Sequence, residues 1–375
     1  MARLIVIIPL VLLVGFKVAT WLMKRRTAHL EAATAAAKAT IARVEDANRP
    51  TIVPAEHGLV PRAELVPDPG ITGPDVDAAL AALGTGDWHP AADLLAGAGQ
   101  DQDRRWALIR RFSGPAVEDD AWLRAWRAER PESADAAVVD LDALIALAWK
   151  VRTGWSADRV SQERANAFHK VLGDAAAVAA EAVRLADPGD PSPYVAQISL
   201  AMGQNWDNAR FLELWAEIVD RDPLHFRAHA RALQYRCDKW HGSHEKMHAF
   251  VDAAIAAAPA GSLFTALKLE AYYEEFRRGD AGDGAYAAPA VRAAADAVIA
   301  DLAAAAPDSP RRLYAHGWLV WVLGRSGREA EAMEHLRALG PIVPLPWTYW
   351  QQDVDKFVGD RIDIVLAATA GRSGD

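Results

Sequence analysis

Five proline-bearing boundaries cut the carboxy-terminal half of this chain into pieces of similar length. Asp190-Pro191, Asp222-Pro223, Ala258-Pro259, Ala306-Pro307 and Gly340-Pro341 follow one another at proline-to-proline steps of 32, 36, 48 and 34 residues. Proline lacks an amide hydrogen and disfavours helix in the residue before it, so each boundary ends a helix. Between boundaries the apolar residues recur at three and four, the period of one helix face. Phe226, Ala230, Leu233, Cys237 and Trp240 make one such stripe, and Met247, Phe250, Val251, Ala254 and Ile255 make the next. Leu212, Trp215 and Val219 repeat the pattern upstream; Leu319, Val322 and Leu323, then Ala332, Leu336 and Leu339, repeat it downstream. The long step contains 278–285, Arg-Gly-Asp-Ala-Gly-Asp-Gly-Ala, which reads as an inserted loop. Two helices per period, each apolar on one side, predict a stack of helix pairs in which each pair covers its neighbour.

A repeat of about 34 residues is the tetratricopeptide length. The predicted fold class is therefore all-α: a tetratricopeptide-like α-solenoid of helix pairs behind an amino-terminal single transmembrane helix. Composition agrees. Alanine is frequent, β-branched runs are few after residue 25, and no strand alternation with hairpin turns competes. Fourteen tryptophans predict large anchors between helices.

The transmembrane helix is predicted at 4–23. Leu4 to Met23 is 20 mostly apolar residues, long enough for a hydrocarbon core of ~30 Å. Lys17 can snorkel and Trp21 suits the interface. A cleaved signal peptide would need a small-residue cleavage site, whereas Trp21-Leu22-Met23-Lys24-Arg25-Arg26 follows. Those three cations outweigh Arg3, so the positive-inside tendency predicts a single-pass cell-membrane protein with its soluble body in the cytoplasm. Residues 24–48 read as a helical stalk. Leu30, Ala33, Ala37, Ile41 and Val44 form a short heptad-like seam that either pairs two chains into a dimer or simply continues the helix. Residues 49–74 carry six prolines and read as a linker. An N-terminal helical region is predicted at 75–186, with short helices at 75–83, 90–96, 104–112 and 118–127 and longer ones at 134–151 and 161–185, the last broken near Gly173. Tetratricopeptide-like repeats follow at 187–340, and a capping segment at 341–375.

Net charge is −9, with +5 in the first 26 residues, which leaves −14 on the other 349. An acidic body excludes the basic face that nucleic acid requires. Cys237 is the one cysteine, so no intrachain disulfide forms, and its place in an apolar stripe predicts a buried thiol.

Three stretches carry a resemblance: Asp222-Pro223-Leu224-His225-Phe226-Arg227-Ala228-His229; Leu233-Gln234-Tyr235; and Lys239-Trp240-His241-Gly242-Ser243-His244-Glu245-Lys246-Met247. Together with Gly86-Asp87-Trp88 and 146–153, Ala-Leu-Ala-Trp-Lys-Val-Arg-Thr, they resemble an uncharacterised actinobacterial-type bacterial family of tetratricopeptide-like proteins, over roughly residues 76–340. The resemblance implies a helical-repeat fold and no established activity. Its shared pattern centres on Trp240, Gly242, Ser243, Glu245, Met247 and Phe250 and does not include a histidine at 248.

The same turn also matches the zinc-peptidase pattern H-E-x-x-H. His244, Glu245, Lys246, Met247 and His248 put two imidazoles on one helix face, with Glu245 as base for a metal-bound water and Glu270 as a third ligand from the next helix. His225 and His229 form a second i, i+4 pair, so a metal sensor is a related possibility. Against the peptidase, Lys246 places a cation inside the motif, and Glu245 projects away from the apolar stripe. The alternative is local hydrogen bonding in an inter-helix turn, with Gly242 ending one helix, Ser243 capping the next and Trp240 plugging the junction. No nucleophile elbow, phosphate loop or dinucleotide fingerprint is present. The expectation is thus a membrane-tethered scaffold for a protein or peptide partner, with no catalysis and no cofactor; the alternatives are a zinc hydrolase and a histidine-cluster sensor.

Overall fold

A computed structural model describes residues 50–152, 162–277, 282–349 and 353–372. The expected transmembrane helix at 4–23 and stalk at 24–48 lie outside the described residues. Among those described, no helix is long and apolar enough to cross a membrane. The chain divides into two units, Met1–Val53 and Pro54–Asp375; the first shows no regular element in its described residues.

The second unit is all-helical, as expected, with fifteen α-helices among the described residues. In order they are α1 (Pro74–Leu83), α2 (His89–Gly97), α3 (Gln102–Glu118), α4 (Ala121–Glu129), α5 (Ala134–Arg152), α6 (Gln162–Leu185), α7 (Ser192–Gly203) and α8 (Asn208–Arg221). There follow α9 (Phe226–Arg236), α10 (His244–Ala257), α11 (Ala266–Phe276), α12 (Pro289–Ala304), α13 (Arg312–Leu323), α14 (Glu329–Ala338) and α15 (Asp353–Arg372). The starts are encoded locally. Asp101, Asp207 and Ser243 each accept the amide hydrogen of the third residue on, from Arg104, Arg210 and Lys246. Prolines open α1, α2, α7 and α12, where a missing amide hydrogen costs nothing.

Nearly all consecutive helices pack on each other, and each odd-numbered helix from α3 to α11 also packs on the next odd one. The odd helices therefore make a continuous layer, backed by the even ones. That layer curls until α3 touches α9. Its amino-terminal end is tied by Arg311, at the start of α13, whose guanidinium lies 2.7 Å from Asp103 of α3. Trp106 of α3 sets its ring edge on His225, 6.3 Å between centroids, at the start of α9. The predicted tryptophan anchors are in place: Trp106, Trp126, Trp318 and Trp347 are fully buried.

Four expectations about boundaries need correction. The proline-rich stretch 49–74 is not a free linker from Pro54 onward. Leu59 and Leu65 are buried, Arg337 and Arg361 donate to the carbonyls of His57 and Val60, and β1 (Val66–Pro67) pairs in parallel with β2 (Ile342–Val343). Pro67 does not interrupt this ladder, because its donors are the amides of Val66 and Asp68 on either side, to Pro341 O and Val343 O at 2.9 Å. The stripe ending at Trp240 is not one helix: α9 stops at Arg236, and the chain turns through 237–242. Helix α6 runs unbroken through Gly173. Helix α3 continues to Glu118 through Pro115, which cannot donate the helical bond to the carbonyl of Arg111. The carboxy-terminal segment ends in a helix as expected. Helix α15 packs on α14 and on both short strands, and its Asp360 accepts from Trp347 Nε1 at 2.6 Å and Arg325 at 3.0 Å.

Candidate functional site

The turn between α9 and α10 is built by backbone bonds. His241 N donates to Tyr235 O at 3.2 Å, and Gly242 N donates to Cys237 O at 3.1 Å. The turn folds back so closely that a β-carbon on Gly242 would lie 1.6 Å from Arg236 O, so only glycine fits. Ser243 then caps α10 through its hydroxyl. Met247 and Cys237 are buried against each other, Sγ to Sδ 3.3 Å, and burial pushes the thiol far above its ordinary range. Trp240 leans edge-on against Trp149 of α5 at 5.8 Å. Glu245 is exposed on the first turn of α10. The interaction-turn residues Trp240, Gly242, Ser243, Glu245 and Met247 thus form a structural elbow with one aromatic wall.

The histidines disperse. His248 Nε2 donates to Glu275 Oε2 at 2.8 Å, while His244 Nε2 is 4.0 Å from Asp238. His225 uses Nδ1 to accept from Ala228 N at 3.2 Å and so caps α9. His229 sits among Trp215, Phe250 and Phe264, and burial holds its pKa down at about 4. His241 stacks on Tyr235 at 4.7 Å. The zinc set His244, His248 and Glu270 is not brought together. Glu270 faces the opposite way, into the helix layer, and among the described residues no three His, Cys, Asp or Glu side chains form a metal-holding group.

Where Glu270 points is the most unusual polar environment in the unit. It lies on α11 one turn from Glu274, and both are 2% exposed. Tyr314 of α13 donates its hydroxyl to Glu270 Oε2. Gln234 of α9 donates to Glu270 Oε1 at 2.7 Å and to Glu274 Oε1 at 3.0 Å. Tyr349, from the carboxy-terminal segment, donates to Glu270 Oε1 at 3.2 Å. Lys239, from the elbow, reaches Glu274 Oε2 at 2.6 Å, with Arg277 3.8 Å from the other oxygen. Burial is the main force on Glu270 and raises its pKa to about 7, against the opposing hydrogen bonds of Tyr314, Gln234 and Tyr349. Glu270 can therefore take up or release a proton near neutrality. It also locks the relative rotation of α9, α11 and α13, since every partner comes from a different element.

Sequence reasoning singled out Glu270 but missed Gln234, Glu274, Tyr314 and Tyr349. The i, i+4 spacing of Glu270 and Glu274, flanking Ala271, Tyr272 and Tyr273, was the available signal. Further along the same layer Asp142, fully buried, holds Arg110 at 2.8 Å and accepts from Ser113 at 2.5 Å. Arg231 bonds Ser199 and lies 5.2 Å over the Trp106 ring. No protein-family profile, curated protein or solved structure matches this chain.

Proposed function

We propose that this chain is a tetratricopeptide-like α-solenoid that acts as a protein-interaction scaffold, tethered to a membrane through residues 4–23. The observation that supports it is the layer of odd-numbered helices. Polar side chains tie neighbouring helices of the layer together, as in Arg110–Asp142, Arg231–Ser199 and Gln234–Glu270, which fixes these helices against one another. Rigid, preformed surfaces are how helical repeats bind partners at low ordering cost. At the edge of the acid pair, Tyr349 is 39% exposed and the Arg277 side chain 44% exposed, and they stack at 5.8 Å. Tyrosine and arginine are among the residue types enriched at interaction hot spots. The resemblance to tetratricopeptide-like bacterial proteins belongs to the same reading.

The test is site-specific photo-crosslinking in cells with the full-length chain. A photoreactive phenylalanine replaces Tyr349 in one strain and exposed Leu212 of α8 in another. A discrete adduct from position 349 that is absent from 212 supports the reading. Folded protein with no adduct from 349, or identical adducts from both, sinks it.

A further inference from the structure

A cavity of about 210 Å³ opens beside the elbow, where the ends of α5 and α7 meet α6. Three rings wall it. Trp149 meets Phe168 edge to face at 5.3 Å and Trp240 edge to face at 5.8 Å. Backbone makes part of the wall: a β-carbon on Gly203 would come within 2.6 Å of Leu172 and 3.1 Å of the Phe168 ring. Arg152 stands over all three rings, 5.2 Å from Trp149, 5.6 Å from Phe168 and 5.8 Å from Trp240.

The charge balance is the informative part. Three partly buried arginines have acids, Arg105 with Asp135 and Asp190, Arg325 with Asp360 and Arg328 with Asp296, whereas Arg231 and Arg361 bond the Ser199 hydroxyl and the Val60 carbonyl instead. Among the described residues no carboxylate pairs with Arg152, and burial alone lowers its pKa with no acid opposing. The indole Nε1 of Trp149 is likewise buried with no acceptor. The cavity wall thus offers a planar, five-donor guanidinium with no acid partner among the described residues, beside three aromatic rings.

We propose that this cavity binds a small planar carboxylate, the acid forked onto Arg152 and the flat apolar body held among Trp149, Phe168 and Trp240. A guanidinium matches a carboxylate with two parallel bonds, and ring faces accept a flat apolar group. The volume is below the ~300 Å³ at which drug-sized pockets begin, so one ring and one acid fill it. Among the described residues Arg152 and His169 are the basic groups lining the cavity, which favours a monoanion over a phosphate dianion. The site goes beyond the scaffold reading and does not depend on it.

The test is fluorine NMR on the full-length chain in mild detergent, with 4-fluorophenylacetate as probe, 4-fluorobenzylamine as its cationic counterpart, and empty micelles as blank. Saturable broadening of the acid, at least tenfold weaker in Arg152→Gln and weaker in Gly203→Ala, with little for the amine, is the expected result. Arg152→Lys, which keeps the charge but loses the fork, should fall between. Should Arg152→Gln fail to match the wild-type melting temperature, the acid–amine comparison in the wild type and Arg152→Lys decide alone. No saturable broadening at millimolar acid, equal binding of the amine, or unchanged affinity in both Arg152 variants overturns the proposal.

Discussion

Replacing Glu270 by glutamine removes the one acidic group whose ionisation the fold opposes most clearly. Its pKa is raised from 4.5 to about 7, so the folded protein holds a proton there that the unfolded chain has released. The associated stability is complete below pH 4.5 and is lost as pH rises through 7. A shift of that size corresponds to about 3 kcal/mol once both states have ionised, at roughly 1.4 kcal/mol per unit. By pH 5 about 1 kcal/mol of it has gone, and by pH 8 nearly all. The glutamine side chain would keep most of the geometry. Its carbonyl would accept from Gln234 and Tyr349, and its amide would donate to the Tyr314 oxygen in a reversed bond. The stability of Glu270→Gln minus that of the wild type should therefore rise by about 2 kcal/mol between pH 5 and pH 8. Urea unfolding followed by circular dichroism at half-unit pH steps measures this, and the subtraction removes titrations common to both proteins. A difference flat to within about 0.5 kcal/mol across that range would refute the burial argument, since surface changes alone stay within that margin.

Three other outcomes follow from the structure. Gly242→Ala should destabilise by about 2–4 kcal/mol, because its β-carbon meets the Arg236 backbone, while Gly173→Ala, with open space around it inside α6, should stabilise by about 0.5–1 kcal/mol; similar urea midpoints for the two variants would contradict this. His229, His316 and His335 are each held near pKa 4 mainly by burial, so their contribution is complete above pH 6.5 and falls away toward pH 4, on the order of 2–3 kcal/mol each; His229→Phe should move the acid limb to lower pH, and an unmoved limb would count against neutral burial. The full chain should stay in the pellet after alkaline carbonate extraction of membranes, and a chain beginning at Pro50 should not; recovery of the full chain in the supernatant would remove the anchor.

Much of the helical order was local and therefore legible. Asp101, Asp207 and Ser243 cap helices through residues three positions away, and the stripes that bury Phe226, Leu233, Met247 and Val251 are set by the helix period itself. Proline boundaries gave the pairing of helices for the same reason, since proline acts on its own and the preceding residue. What proline cannot tell is whether a stretch with few donors is free or packed. Residues 54–68 became part of the fold because Val66 and Asp68 found acceptors in Pro341 and Val343, at the far end of the chain, a pairing with no local trace.

The site divides in the same way. Trp240, Gly242 and Ser243 were readable as an elbow because a turn and a cap are short-range objects. The pattern His-Glu-x-x-His was equally readable and yet assembles no ligand set, because a metal site needs its third group at the right place in space. Glu270 instead turns to Gln234, Tyr314 and Tyr349, which are 36, 44 and 79 residues away. Sequence alone determined that this chain would be helical, paired and capped, since those properties depend on neighbours within a turn or two. Only the tertiary structure decided which carboxylates would be buried together and which guanidinium groups would be left without an acid. Burial and charge pairing are set by elements that meet only after the odd-numbered helices have packed into one layer.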